Sequence, residues 1–302
     1  MENRQSIWNR YILWKLLKAS FNRLQQNDPL RMAGATAFFT SFALPPIIVL
    51  LFQLFRIFFS GKLIGTQLGK VLSSTLGQEG SEQLRNTAHG FRNLAQNWYM
   101  DILGLLFLIF VATTLFKVIR NSLHDIWDIG LKKTDFMFDL KVRGRSLAII
   151  VAAGILFVAA SIIDVVRVVA EEYIGKFWQT GSLFITSAIN EIASILVTTI
   201  WFIVLFRFLA NARPSWRVAK VGGILTGVLF YIGRTILSSV MSNSNAGIIY
   251  GAGASIVLIL LFVFYCSFIL YFGASFIKEY SLFINDPIVP SQKAYELKSH
   301  PA

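Results

Sequence analysis

The chain has 302 residues, of which 55% are hydrophobic and 15% charged, with a formal net charge of +12 and a mean hydropathy of +0.61. An ordinary soluble domain carries about 25% charged residues, so this composition excludes a water-solvated fold and calls for lipid as solvent. The basic balance invites a nucleic-acid reading, which the placement of the charges, below, answers.

In chain order the first element is IWNRYILWKLLKASFNRL, Ile7 to Leu24, where Trp8, Tyr11, Trp14 and Phe21 interleave with Arg10, Lys15, Lys18 and Arg23. Lys15, Lys18, Asn22 and Arg23 share one narrow helical sector. That pattern fits a helix lying in the membrane interface and equally a helix packed on a bundle. It belongs to an N-terminal segment, residues 1–32, ahead of a membrane domain at 33–280 and a tail at 281–302.

Crossing a hydrocarbon core of roughly 30 Å takes about 20 apolar residues at about 1.5 Å each. Six stretches qualify, approximately 33–56, 101–119, 146–170, 183–207, 219–241 and 250–277. Isolated strands cannot satisfy their backbone in lipid, so the expected fold class is all-α, a polytopic bundle of six transmembrane helices. The single cysteine, Cys266, falls in the last span and excludes an internal disulfide. A first apolar run that starts only after about 32 residues is too late and too long for a cleavable signal.

The first span reads AGATAFFTSFALPPIIVLLFQLF and holds Pro45 and Pro46 near its middle. Neither proline has an N–H for the carbonyls of Ser41 and Phe42, and their rings crowd those carbonyls. The spacing therefore predicts a break or hinge at Pro45, Pro46 and Ser41, with the hydroxyls of Thr40 and Ser41 as substitute donors. Residues 60–100 follow as a long connection, read as two amphipathic helices capping the outer face. Small residues at close spacing, Gly223 and Gly227, Gly251 and Gly253, and Gly273, mark expected helix contacts.

Lys and Arg number six, seven, four and three in alternate flanks (1–32, 117–145, 207–220, 278–302) against four, one and none in the others. This positive-inside pattern puts both termini in the cytoplasm. It assigns the net charge to topology and to anionic lipid rather than to nucleic acid.

Charges within spans are functional candidates by default. Asp164 and Arg167 lie in the third span, Asn190 and Glu191 in the fourth, and Arg234 in the fifth; Arg56 ends the first. Counted from the outer ends, Asp164, Glu191 and Arg234 all fall roughly 9 to 12 Å below the outer interface. The expected arrangement pairs Asp164 with Arg167 and sets Glu191 facing Arg234. It is read either as an outward polar cavity with guanidinium forks for an anionic group or as an ion-pair network that fixes helix register.

Enzymatic signatures are missing. His89, His124 and His300 are scattered, and HDIWD (His124, Asp125, Asp128) is a weak local metal candidate. No Walker loop or nucleophile elbow occurs, so no catalytic residue, metal or cofactor is expected.

Four stretches together resemble the YihY/virulence factor BrkB family of bacterial inner-membrane proteins: RMAGATAFFTSFALPPIIVLL, NSLHDIWDI, PSWRVAKVGGILTGVLFYIGR and YGAGASIVLILLFVFYCSFILYFGASF. The likeness covers about residues 28–280. It departs in the doubled proline and in Ser275, where the family often has an acidic residue. The resemblance implies a multi-pass envelope protein of the inner membrane, some members of which were once labelled ribonuclease BN, and it supplies no catalytic residue. The resulting expectation is a transporter or flippase-like protein for an anionic amphiphile, lipid or envelope precursor. The alternative is a structural or interaction protein of the envelope. Expected partners are membrane lipids, not nucleic acid, and a homo-oligomer stays open.

Overall fold

A computed structural model describes residues 10–56, 82, 98–131, 144–145, 148–149, 151–156, 179–243, 254–291 and 294–297. Its long elements are α1 (Arg10–Gln26), α2 (Pro29–Arg56), α3 (Trp98–Trp127), α4 (Gln179–Phe208), α5 (Trp216–Asn243) and α6 (Ala254–Phe283). Among the described residues three helices are long and apolar enough to cross a membrane: Glu191–Phe208, Trp216–Leu237 and Ile259–Phe283. The first and second expected spans fall within α2 and α3; of the third, only 148–149 and 151–156 are described. The expected outer helices at 60–100 lie outside the described residues, apart from Glu82 and the start of α3.

The α6 helix is the axis of the bundle. It packs against α1, α2, α3 and α5, while α4 lies on α5. Accordingly 61% of Ile259–Phe283 is buried, against 22% of Glu191–Phe208. Fully buried Tyr271 and Ile277 on α6 meet Leu24 of α1, Leu123, Ile126 and Trp127 of α3, and Phe206 of α4 in one cluster. Outward faces carry apolar side chains one turn apart, Ile192, Leu196 and Ile200 on α4 and Ile224, Val228, Ile232 and Ile236 on α5. A helix apolar on its outer face as well as its inner one is built for lipid.

The helix ends follow their sequences. Asp28, at φ 50°, closes α1, and Pro29 opens α2 at the position where a missing N–H costs nothing. Ser215 caps α5 by accepting the Val218 N–H at 3.3 Å. Asn285, at φ 52°, closes α6, with Asp286 N–H on the Ser281 carbonyl and Asn285 N–H on that of Leu282, the Schellman pattern.

One expectation is corrected. The fold is mostly helical rather than purely so, because two short antiparallel pairs form at one end of the bundle. Strand β1 (Ile129–Leu131) pairs with β4 (Ala294–Glu296), and β2 (Ala212–Arg213) with β3 (Val289–Pro290). Outside a hydrocarbon layer, strand pairing is an economical way to satisfy exposed backbone. The α2 helix continues through Pro45 and Pro46. Two missing donors free only two carbonyls, and the turns on either side keep their own ladders. The Ser41 hydroxyl donates to Ala37 O at 2.9 Å, so it does not serve the carbonyls of Ser41 or Phe42.

The strands also bring four chain segments to one face: α1, the residues after α3, the α4–α5 connection and the C-terminal tail. These are the four basic flanks of the sequence.

Gly223 and Gly227 set the α4–α5 crossing, where an added Cβ would overlap Ile203 and Thr199; Gly273 on α6 faces Thr226 of α5. Gly251 and Gly253 lie outside the described residues.

Candidate functional site

The sheet face is joined by charge. Asp128, at φ 57°, ends α3 and presents its carboxylate to Arg23 Nη1 at 3.0 Å and Lys278 Nζ at 3.5 Å. Arg23 also donates to Glu279 through Nε. Lys278, 5% exposed, donates to the Trp127 carbonyl at 3.0 Å and to Glu296 at 3.1 Å. A buried ammonium is tolerated only when several acceptors replace its water, and these acceptors come from the end of α3 and from β4. The Trp127 ring is fully buried and donates Nε1–H to Ala274 O at 2.9 Å.

HDIWD is part of this joint. His124 Nε2 accepts the Asn211 N–H at 3.0 Å, which leaves the ring proton on Nδ1. Asp128 is spent on Arg23 and Lys278. Among the described residues no group of three His, Cys, Asp or Glu could hold a metal ion. Asn211 in turn accepts Arg145 Nη1 on Oδ1 at 3.0 Å and the Ser291 N–H on its carbonyl at 2.9 Å. One asparagine thus ties α3, the residue-145 segment and the tail.

Burial, then the Arg120 charge, lowers His124 from 6.5 to about 4. The unfolded chain therefore binds a proton that the folded chain refuses between those values. This stability is fully present above pH 6.5 and is lost as pH falls through about 4. At pH 5.5 the loss is about 1.4 kcal/mol relative to neutral pH. Unfolding in mixed micelles at pH 7.5 and 5.5 checks this, with His124→Gln expected to flatten that part of the pH slope. An equal slope in parent and variant removes His124 as its cause.

Between α2, α3 and β1 the same end holds a cavity of about 510 Å³. Asp125 on its wall is raised from its ordinary range by burial, with Arg31 pulling the other way.

A second polar group sits far along the helices. Glu191 is 17 residues before the end of α4 at Phe208, and Arg234 is 18 residues after the start of α5 at Trp216. At about 1.5 Å per residue, both are roughly 26 to 27 Å from the sheet end. Arg234 Nη1 donates to Ser194 Oγ at 3.1 Å, and the Tyr231 hydroxyl lies beside Glu191. Glu191 and Ser194, at i and i+3, share the α4 face that meets α5. Of the sequence-predicted cavity residues, then, the structure brings Glu191 and Arg234 to one seam. Asp164 and Arg167 lie outside the described residues, as do the side chains of Asn190 and Arg56, and of Pro45 and Pro46.

The sequence reading missed Arg23, Lys278, Glu279 and Glu296 as partners of Asp128, and Asn211 as partner of His124. One signal was present: Lys278 and Glu279 continue the last apolar run with no turn residue before them.

A family profile described as virulence factor BrkB matches residues 20–294. The chain is similar to a UPF0761 membrane protein of Teredinibacter turnerae, 23% identical over 275 residues, covering 89% of this chain and 61% of that one. A UPF0761 membrane protein of Psychromonas ingrahamii is 22% identical over 264 residues, covering 87% and 86%. One of Mannheimia succiniciproducens, UPF0761 membrane protein MS0032, is 24% identical over 251 residues, covering 82% and 84%. The chain thus spans less than two thirds of the first of these relatives and most of the other two. No solved structure matches it. The match over most of its length, on a bundle with three membrane-length helices, makes this chain a membrane protein of the virulence factor BrkB family.

Proposed function

We propose that this protein moves an anionic amphiphile, a lipid or envelope precursor, across a bacterial inner membrane along the α4–α5 seam. The observation that carries the reading is the Arg234–Ser194 bond at 3.1 Å beside an exposed Glu191, on two adjacent helices that are largely apolar. A guanidinium and a carboxylate in lipid are costly to keep unless they are used or firmly paired. Here the carboxylate is exposed and the guanidinium half-buried, and a guanidinium's planar fork of donors suits a phosphate or carboxylate.

In this reading the sheet face is cytoplasmic, as its four basic flanks favour, six helices span the bilayer, and Pro45 and Pro46 bend α2 as a hinge. No catalytic chemistry is invoked. The test is dithionite-protected movement of fluorescent phosphatidylglycerol in proteoliposomes. Arg234→Gln is expected to slow it by about tenfold, as loss of one charge-assisted bond would. Undiminished movement in Arg234→Gln, Glu191→Gln and the double variant, all folded, overturns the reading.

The four-segment charge joint at the sheet face favours a second reading, a non-transporting structural protein of the envelope. Absence of lipid movement in the parent protein, with the fold intact, supports that one instead.

A further inference from the structure

The cavity of about 510 Å³ at the sheet end lies apart from the α4–α5 seam, and its volume is in the range of small-ligand sites. Its walls carry opposite charges, Arg31 from α2 and Asp125 from α3, together with Asn121, Ser122 and an apolar side formed by Met32 and Val118. Arg31 and Asp125 are both exposed and interact across it. The Arg31 ion pair with Asp28, 3.7 Å apart with side chains 69% and 75% exposed, is weak and readily exchanged.

A bare phosphate would face the Asp125 carboxylate, and a bare amine would face the Arg31 guanidinium. A phosphate ester that carries its own ammonium group satisfies both. Asn121 and Ser122 offer neutral donors and acceptors between them. Ser122 is buried beside Tyr271, whose hydroxyl bonds Thr36 of α2.

The apolar side continues along both helices away from the sheet end. On α2, Ala35 lines the cavity, and exposed Phe38 and Phe42 follow on the same face at i+3 and i+7. On α3, Val118 lines it, and Thr114, Phe110 and Leu106 follow at four-residue steps, the last two 54% and 59% exposed. Because α2 and α3 pack along each other, the two rows flank one path for acyl chains leading away from the polar end. A soluble phosphoamine would have no use for them.

We propose that this cavity binds the headgroup of a zwitterionic phospholipid of the ethanolamine type, phosphate on Arg31 and ammonium on Asp125, with its chains between α2 and α3. The site requires no lipid movement and so stands or falls independently of transport.

Native mass spectrometry of the full chain in detergent, titrated with phosphatidylethanolamine or phosphatidylglycerol, reads it directly. The parent is expected to retain phosphatidylethanolamine preferentially. Arg31→Gln should weaken both lipids by about tenfold, and Arg31→Lys should restore part of the loss. Asp125→Asn should weaken phosphatidylethanolamine by about tenfold and abolish the preference. Both side chains are exposed, and unchanged melting temperatures confirm folding of the variants. Equal retention of the two lipids by the parent, or unaltered retention in Arg31→Gln and Asp125→Asn, overturns the proposal. Binding of soluble glycerophosphoethanolamine as tight as that of the lipid overturns the assignment to a lipid. A chain that binds as expected and moves no lipid in proteoliposomes sinks the transport reading alone.

Discussion

Trp127→Ala is expected to lower the unfolding free energy by about 3 to 5 kcal/mol, the cost of emptying a large aromatic site that cannot collapse. The ring is fully buried at the last turn of α3, among Leu123, Ile126 and the α6 side chains. Its Nε1–H bond to Ala274 O fixes the distance between α3 and α6, while its own carbonyl receives Lys278. Deleting the ring therefore leaves a cavity beside a buried ammonium. Trp127→Phe separates the terms: it keeps most of the apolar volume and loses the hydrogen bond, for which about 1 to 2 kcal/mol is expected. The measurement is SDS-driven unfolding in mixed micelles. An alanine variant within about 0.5 kcal/mol of the parent, the range of ordinary surface substitutions, would show that α3 and α6 are held together elsewhere.

The second large effect is expected from Asp128→Asn. Asparagine is nearly isosteric and tolerates the left-handed backbone that Asp128 adopts at φ 57°, so the change removes a charge and little else. Arg23 keeps Glu279, but Lys278, 5% exposed, is left with a half-exposed Glu296 and one carbonyl. Breaking a buried pair costs roughly 3 to 5 kcal/mol; because the Asp128 side chain is 28% exposed, about 2 to 3 kcal/mol is expected here. The diagnosis is an uncompensated ammonium, so Lys278→Met in the Asp128→Asn background should recover part of the loss. If the double variant is as unstable as the sum of the singles, the penalty is not the stranded charge.

The difference between these two positions shows what one sequence makes legible. Asp128 stands in HDIWD beside a histidine, and by residue type alone that pattern is a metal candidate as much as a helix end. Its true partners are Arg23 and Lys278, more than 100 residues away in either direction. Nothing in local spacing announces a pairing over that distance. Glu191 and Arg234 were legible because lipid penalises charge: in an apolar run each one stands out, and counting along a helix of known rise fixes its height. The same reasoning failed to keep Ser41 free for the proline-released carbonyls, because its hydroxyl had a nearer acceptor in its own helix, Ala37.

By itself the sequence determined the solvent, the helical class, the family likeness and the grouping of the basic flanks on one face. Each of these depends on composition and on distance along the chain, which a sequence states outright. Only the tertiary structure decided that α6 is the axis, that short strands close the sheet face, and that His124 accepts from Asn211. It alone placed Arg31 and Asp125 across one cavity. Those outcomes depend on which surfaces meet, and several helices of similar apolarity carry no label for their neighbours until close packing and the pairing of buried polar groups select one arrangement.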